Sequence, residues 1–216
     1  MRSGFHGQLA DLTVMLGELA GLAGRSMADA TTALLEVAPI AAEQTIALGA
    51  QVRVLRRGCE DRAHSMLALH APAAANRRML VSAIRISGDL AGMGGLAGQV
   101  ADAGRRRFPD RVVPPETGSH FAEMGALSSA MADRVRHALT EPDLSLLTRT
   151  RGDNDRMDEL RAQSTGAVAG ESWQGATGTV DLALLAGLYQ RFAQHTVDVA
   201  ERIVFLATGA RPITVD

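Results

Sequence analysis

The sequence predicts an all-α fold: two tandem antiparallel three-helix bundles related by internal duplication, six helices in all. Three observations predict it. Apolar residues recur at alternating spacings of three and four along most of the chain, the stripe of helices packed on other helices. The composition is 46% hydrophobic but only 3% aromatic, so small side chains and close helix contacts build the core, not the Tyr, Phe, Val and Thr of a β-sandwich. A proline-rich segment divides the chain into two halves, and these can be laid on one another.

The first helical stretch runs from Phe5 to Val37, with Leu9, Leu12, Leu16, Leu19, Ala23, Met27, Ala30 and Leu34 as its stripe. Pro39 interrupts the pattern, because proline lacks a donor and clashes with the preceding turn. The second stretch, Ala41 to His70, turns Val52, Leu55, Cys59, Met66 and Leu69 inward. Ala71-Pro72 breaks it, and Pro72 suits the first turn of a third helix. That helix runs to about Phe108, with Met79, Ala83, Ile86, Leu90, Met93, Ala97 and Val100 in heptad register.

Pro109 to Gly118 carries three prolines and a glycine and is the clearest boundary in the chain. It separates a first unit, residues 1–108, from a second, residues 119–216. His120 to Leu139 restarts the pattern with Phe121, Met124, Leu127, Met131 and Val135. Pro142 sits near the start of a fifth helix, continued through Leu146, Leu147, Met157 and Leu160 to about Ala169. Gly152 weakens it by about 1 kcal/mol relative to alanine. Gly170 to Gly178 loosens the chain. Leu182 to Gly209 is then the most regular stretch of all: Leu182, Leu185, Tyr189, Phe192, Thr196, Val199, Ile203 and Leu206 form a seam with only Thr196 off type. Gly209 ends it as a C′ glycine.

The duplication is visible in the residues. Ser26-Met-Ala-Asp29 resembles Ala130-Met-Ala-Asp133. Asp89 to Asp102 can be laid without a gap on Leu188 to Glu201. Met93 then meets Phe192, Val100 meets Val199, and Ala91 and Gly95 meet Gln190 and Gln194 on the outward face. A period of roughly 100 residues is too long for a solenoid unit and fits two joined bundles.

Bulk composition narrows function. All 22 basic residues are arginine and the net charge is −2. A strong sequence-independent nucleic-acid binder is basic, so nucleic acid is disfavoured as a partner. The arginine usage reads as codon bias before it reads as anion recognition. Cys59 is the single cysteine, which excludes an internal disulfide and a thiolate metal site. Its place between Leu55 and Met66 makes it a packed core thiol. The N-terminal residues lack the apolar run of a signal peptide, and no stretch reaches the roughly 18 apolar residues of a spanning helix. The expectation is a soluble cytoplasmic protein. Without lysine there is no Walker A loop, and the elbow and zincin signatures are missing. A di-metal bundle enzyme lacks its Glu-x-x-His pairs; Asp61 and His64 alone do not supply them. No catalytic residue is predicted, and no cofactor.

The element order, the duplication, Ala71-Pro72-Ala-Ala-Ala-Asn-Arg77 opening the third helix, and Gln190-Arg-Phe-Ala-Gln-His-Thr-Val-Asp-Val-Ala-Glu-Arg-Ile-Val-Phe-Leu-Ala-Thr-Gly209 together resemble the PhoU family, most of all its actinobacterial members. The resemblance covers nearly the whole chain. It implies a cytoplasmic, non-enzymatic, six-helix regulator, often dimeric. Such proteins bind the ATPase of the phosphate ABC transporter and a sensor histidine kinase, and hold both down when phosphate is plentiful. Contact with the membrane would be indirect, through those partners. Many members also carry surface metal clusters on Glu/Asp-x-x-x-Asp motifs.

That motif is degenerate here. The resemblance calls for acids at Ala91, Gly95, Gln190 and Gln194, and for an aspartate at Leu48. Hard cations and iron need several anionic oxygens or imidazoles, so no metal site is expected. Candidate partner contacts are Arg77 and Arg78, which sit at the end of the third helix unfavourable to cations, together with Arg191, His195, Asp153 and Asp158. His195 reads as a surface or inter-helix hydrogen-bonding residue. Asp153, Asp155 and Asp158 read as a solvated acidic face, and Asp198 and Glu201 as plain surface acids. Arg105, Arg106 and Arg107 read as cations at a helix C-terminus. Gly92, Gly94, Gly95 and Gly98 imply close helix packing or a helix weakened by loss of the metal motif. The alternative function is a diverged scaffold that kept the bundle and lost the phosphate pathway.

Overall fold

The computed structural model describes residues 2–70, 73–141, 143, 145–168 and 175–209. Six helices follow one another: α1 Arg2–Leu35, α2 Pro39–His70, α3 Ala74–Arg107, α4 Gly118–Thr140, α5 Leu146–Val168 and α6 Gly175–Thr208, with a 3₁₀ turn at Pro115–Thr117. No strand occurs among the described residues. The expectations placed on Ala71, Pro72, Pro142 and residues 169–174 fall outside them.

The heptad stripes are the core. Leu12, Leu16, Leu19, Ala23, Met27, Ala30 and Leu34 of α1 are buried, as are Ala83, Ile86, Leu90, Met93, Ala97 and Val100 of α3. On α6, Leu182, Leu185, Tyr189, Phe192, Thr196, Val199 and Ile203 are buried, and Leu206 is half-buried. Each large apolar side chain so buried contributes about 1.5–3 kcal/mol. Thr196, the off-type residue, satisfies its hydroxyl on the Phe192 carbonyl at 3.0 Å. Cys59 is buried, and burial pushes its thiol up to about 11. This is the inert core thiol its seam position predicts.

α1, α2 and α3 pack together, as do α4, α5 and α6; α1 lies on α4 and α3 on α6 across the halves. One apolar core runs unbroken through both. The α1–α4 crossing is close because glycines stand there. A Cβ at Gly125 would lie 2.6 Å from the Thr31 side chain, and one at Gly24 2.9 Å from the Ala132 Cβ. Thr31 Oγ1 meets the Tyr189 hydroxyl at 2.9 Å, tying α1 to α6 inside the core. Phe121 of α4 stands edge-on to the same Tyr189 ring at 5.8 Å.

Helix ends follow local chemistry, with some differences from expectation. α1 closes with the Ala38 amide on the Ala33 carbonyl at 2.9 Å, the six-to-one bond of a Schellman ending, which puts Val37 at φ 57° where glycine is usual. Pro39 is the first residue of α2, where its missing N–H costs nothing. Gly209 has φ 73° and its amide bonds the Phe205 carbonyl at 2.8 Å, the simpler left-handed ending. The segment after α3 is less open than its prolines suggest: Val112, Val113 and Thr117 are buried. Residues 175–178, read as loosened chain, belong to α6. Helix propensity is a weak prior, and a long packed helix overrides the cost of terminal glycines. No described helix is long and apolar enough to cross a membrane.

Candidate functional site: the polar seam between α3 and α6

Where the two halves meet along α3 and α6, the apolar stripe gives way to charge. On α6, His195, Asp198 and Arg202 fall at i, i+3 and i+7, hence on one face. On α3, Asp89 faces them. Asp89 Oδ1 lies 3.1 Å from His195 Nδ1, and Arg202 Nη1 donates to Asp89 Oδ2 at 2.6 Å. The same Nη1 reaches the Asp198 carbonyl at 3.0 Å. Gln194 Nε2 approaches Asp198 Oδ1 at 3.4 Å. Gly92 makes room for the imidazole, since a Cβ there would lie 3.2 Å from His195 Nε2. The helices close on one another through a histidine against a glycine, with Asp89 clamped between imidazole and guanidinium.

Burial is the main reason the Asp198 carboxyl sits above its ordinary range. The Gln194 amide opposes that rise, the nearby Asp89 charge adds to it, and Arg202 and His195 pull the other way. Glu201, one turn on, is held by Arg151 of α5 at 2.9 Å. Asp198 and Glu201 are therefore not plain surface acids: one is half-buried in the seam and the other braces α6 to α5.

Above this seam the first turns of α3 and the last turns of α6 border an open cavity of about 690 Å³. Arg77, Arg78 and Arg85 line one wall, with Val81 and Ser82 between them; Asp198, Glu201, Arg202 and Phe205 line the other. Two of the expected partner residues, Arg77 and Arg78, are thus brought together with Arg202. The others lie elsewhere. Arg191 is exposed beside a second cleft at the far end of the helices. Asp153 is ion-paired with Arg134 of α4, and Asp158 turns a buried carboxylate oxygen inward. These two acids do not form a solvated face; only Asp155 is exposed. His195 occupies the inter-helix hydrogen bond with Asp89.

Asp89 and Arg85 were not singled out from sequence. The available signal was spacing: Arg77, Val81 and Arg85 recur every four residues, and Asp89 continues the row. The α3 glycines divide by role. Gly94 admits Val52 of α2, where a Cβ would meet it at 2.9 Å, and Gly92 admits His195, while Gly95 and Gly98 face open space.

The metal clusters that the resemblance implies do not fit these residues. Ala91 and Gly95 offer no donor, and Gln190 and Gln194 offer neutral amides on half-buried and exposed surface. Asp89, His195 and Asp198 do bring ligand-type atoms within 4.8 Å of one another, but there the Arg202 guanidinium supplies the positive charge.

Comparison with known proteins agrees with this architecture. The model of the PhoU domain matches residues 16–103. The chain is 38% identical over 98% of its length to the whole of the phosphate-specific transport system accessory protein PhoU homolog 2 of Mycobacterium tuberculosis. It is 37% identical, over 98% of its length and 96% of the relative's, to PhoU homolog 1 of Mycobacterium leprae. Among solved structures, PhoU of Pseudomonas aeruginosa superposes with a TM-score of 0.87 at 20% identity, covering 95% of this chain and 100% of that one. The phosphate transport system regulatory protein PhoU of Streptococcus pneumoniae gives 0.85 at 20% identity, covering 97% and 99%. With two three-helix bundles sharing one core and relatives of this similarity along nearly all of its length, the chain belongs to the PhoU family.

Proposed function

We propose that this protein is a regulator of phosphate uptake and phosphate-responsive signalling that works by binding partners. The observation that supports it most is the full-length similarity to mycobacterial proteins named as accessory to phosphate-specific transport. The finer reading is negative regulation: in replete phosphate the protein docks on the transporter ATPase and on a sensor histidine kinase and restrains both. It acts in the cytoplasm, as a homodimer, without catalysis. Its polar helix faces suit docking, since hydrogen bonds and charge complementarity set specificity at such surfaces. Capture of tagged full-length protein from phosphate-replete cells should recover the ATPase or the kinase; recovery of neither would count against the reading.

A second reading has its own observation. Ala91, Gly95, Gln190 and Gln194 leave both metal motifs without an acid, as expected of a diverged scaffold that has left the phosphate pathway. Under either reading the purified protein should carry no stoichiometric metal. Elemental analysis after anaerobic purification checks this, and near-stoichiometric iron, manganese or zinc would contradict it.

A further inference from the structure

Three of the four arginines that line the α3–α6 cavity stand apart from the ion-paired arginines around them. Arg105 and Arg106 pair with Asp102, Arg107 with Asp181, Arg151 with Glu201, and Arg202 with Asp89. Arg77, Arg78 and Arg85 form no ion pair among the described residues, and all three are exposed on one cavity wall. On the facing wall Glu201 and Arg202 are already engaged, which leaves Asp198 as the one acid not held by a guanidinium. The balance is three free cations against a single carboxylate that burial disfavours as an anion. The first turn of α3 adds to the positive field: it contains no acid, and its N-cap Ala73 makes no side-chain capping bond.

The second cleft, where the end of α3 meets the start of α6, is an internal comparison. It is lined by Arg106, Arg107 and Arg191, but Asp102 and Asp181 stand in the same walls and neutralise the first two. Among the described residues the second cleft keeps one unpaired arginine, Arg191, where the first keeps three.

Guanidinium forks pair bidentately with phosphoryl oxygens. Arg77 and Arg85 stand about 12 Å apart along the helix, a span that suits a chain of phosphoryl groups, and roughly 300–1,000 Å³ is the usual span of small-ligand sites. We propose that the cavity between the start of α3 and the end of α6 binds a small molecule bearing a short chain of phosphoryl groups, which Arg77, Arg78 and Arg85 grip while Val81 and Phe205 add apolar contacts from opposite walls. This goes beyond the regulatory reading above, and its failure leaves that reading standing. The phosphoryl chain can come from inorganic polyphosphate or from a nucleotide.

The test is calorimetric titration of the full chain at low salt, where screening is weak, with inorganic tripolyphosphate, ATP, orthophosphate and poly-glutamate. Saturable binding of tripolyphosphate or ATP, tighter than orthophosphate, is expected. Tripolyphosphate binding at least as well as ATP identifies the inorganic source; tighter ATP binding identifies the nucleotide. The double variant Arg78→Gln/Arg85→Gln should weaken binding by about tenfold or more, and Asp198→Asn should tighten it. Arg106→Gln, in the second cleft, should leave it unchanged. Helical circular dichroism of each variant separates lost binding from lost fold. No saturation at millimolar ligand, equal loss in Arg106→Gln, or poly-glutamate binding as tightly as tripolyphosphate would overturn the proposal, the last in favour of an acidic protein segment.

Discussion

Two residues show how much rests on single side chains. Tyr189 is fully buried, and burial pushes its phenol far up; its hydroxyl meets Thr31 of α1 in the core. Tyr189→Phe should cost about 1 kcal/mol, the net worth of a buried neutral hydrogen bond, read as a lower urea midpoint at unchanged slope. Asp198 has a direction set by pH. Its folded carboxyl is raised, so the folded state holds the proton more tightly than the unfolded state, and the resulting destabilisation grows as pH rises through that window. Asp198→Asn should therefore melt higher than the natural protein at pH 7–8. The gain should fade as the pH drops through that window and be gone by about 3, where both states are protonated. A variant less stable at neutral pH would refute this. Little of this polar detail was legible in the sequence. Without acids at Gln190 and Gln194, His195 reads from sequence as a surface or inter-helix hydrogen-bonding residue, and it is the inter-helix bond that it makes. Its partner Asp89, 106 residues away, was not legible, because a pairing across helices depends on their crossing, which periodicity does not encode.

At the scale of helices, periodicity served well. Seam positions on α1, α3 and α6 came out buried, apart from half-buried Leu9, Met79 and Leu206 near the helix ends, because a stripe is a local property that packing simply uses. Closeness of approach was harder to read. The α3 glycines announced themselves by crowding, and half of them do face a neighbour. Of the two glycines that set the α1–α4 crossing, Gly125 is a single glycine in ordinary helical sequence and gave no signal, while Gly24 continues a row with Gly17 and Gly21 at helical spacing along the face that meets α4. Gly125→Ala should cost about 2 kcal/mol, since the added methyl must displace Thr31 in a close-packed interior. Chemical denaturation measures it, and a neutral result would mean that the crossing relaxes freely. The α1–α2 corner runs the other way. Val37 sits in the left-handed region, which a Cβ disfavours by roughly 1–2 kcal/mol. Val37→Gly should gain about 1 kcal/mol after glycine's greater loss of chain entropy; a loss of stability would show that the valine side chain matters more than its backbone.

For the whole molecule, the sequence made the six-helix, two-bundle architecture legible because both bundles repeat one pattern. It left the relation between them open. The structure packs them side by side on α1–α4 and α3–α6, so the two pseudo-equivalent helices face each other and their polar positions form a common seam. The metal platform that the resemblance implies is missing its acids, and three arginines unpaired among the described residues line the α3–α6 cavity. The expected mode of action is recognition by shape, hydrogen bonding and arginine charge. Its most direct test is a reporter of phosphate-starvation genes, read in phosphate-rich medium, in cells with this gene deleted and in the same cells complemented. The account predicts a reporter that switches on in the deletion and returns to silence with the intact gene; a reporter that stays silent in the deletion would contradict it.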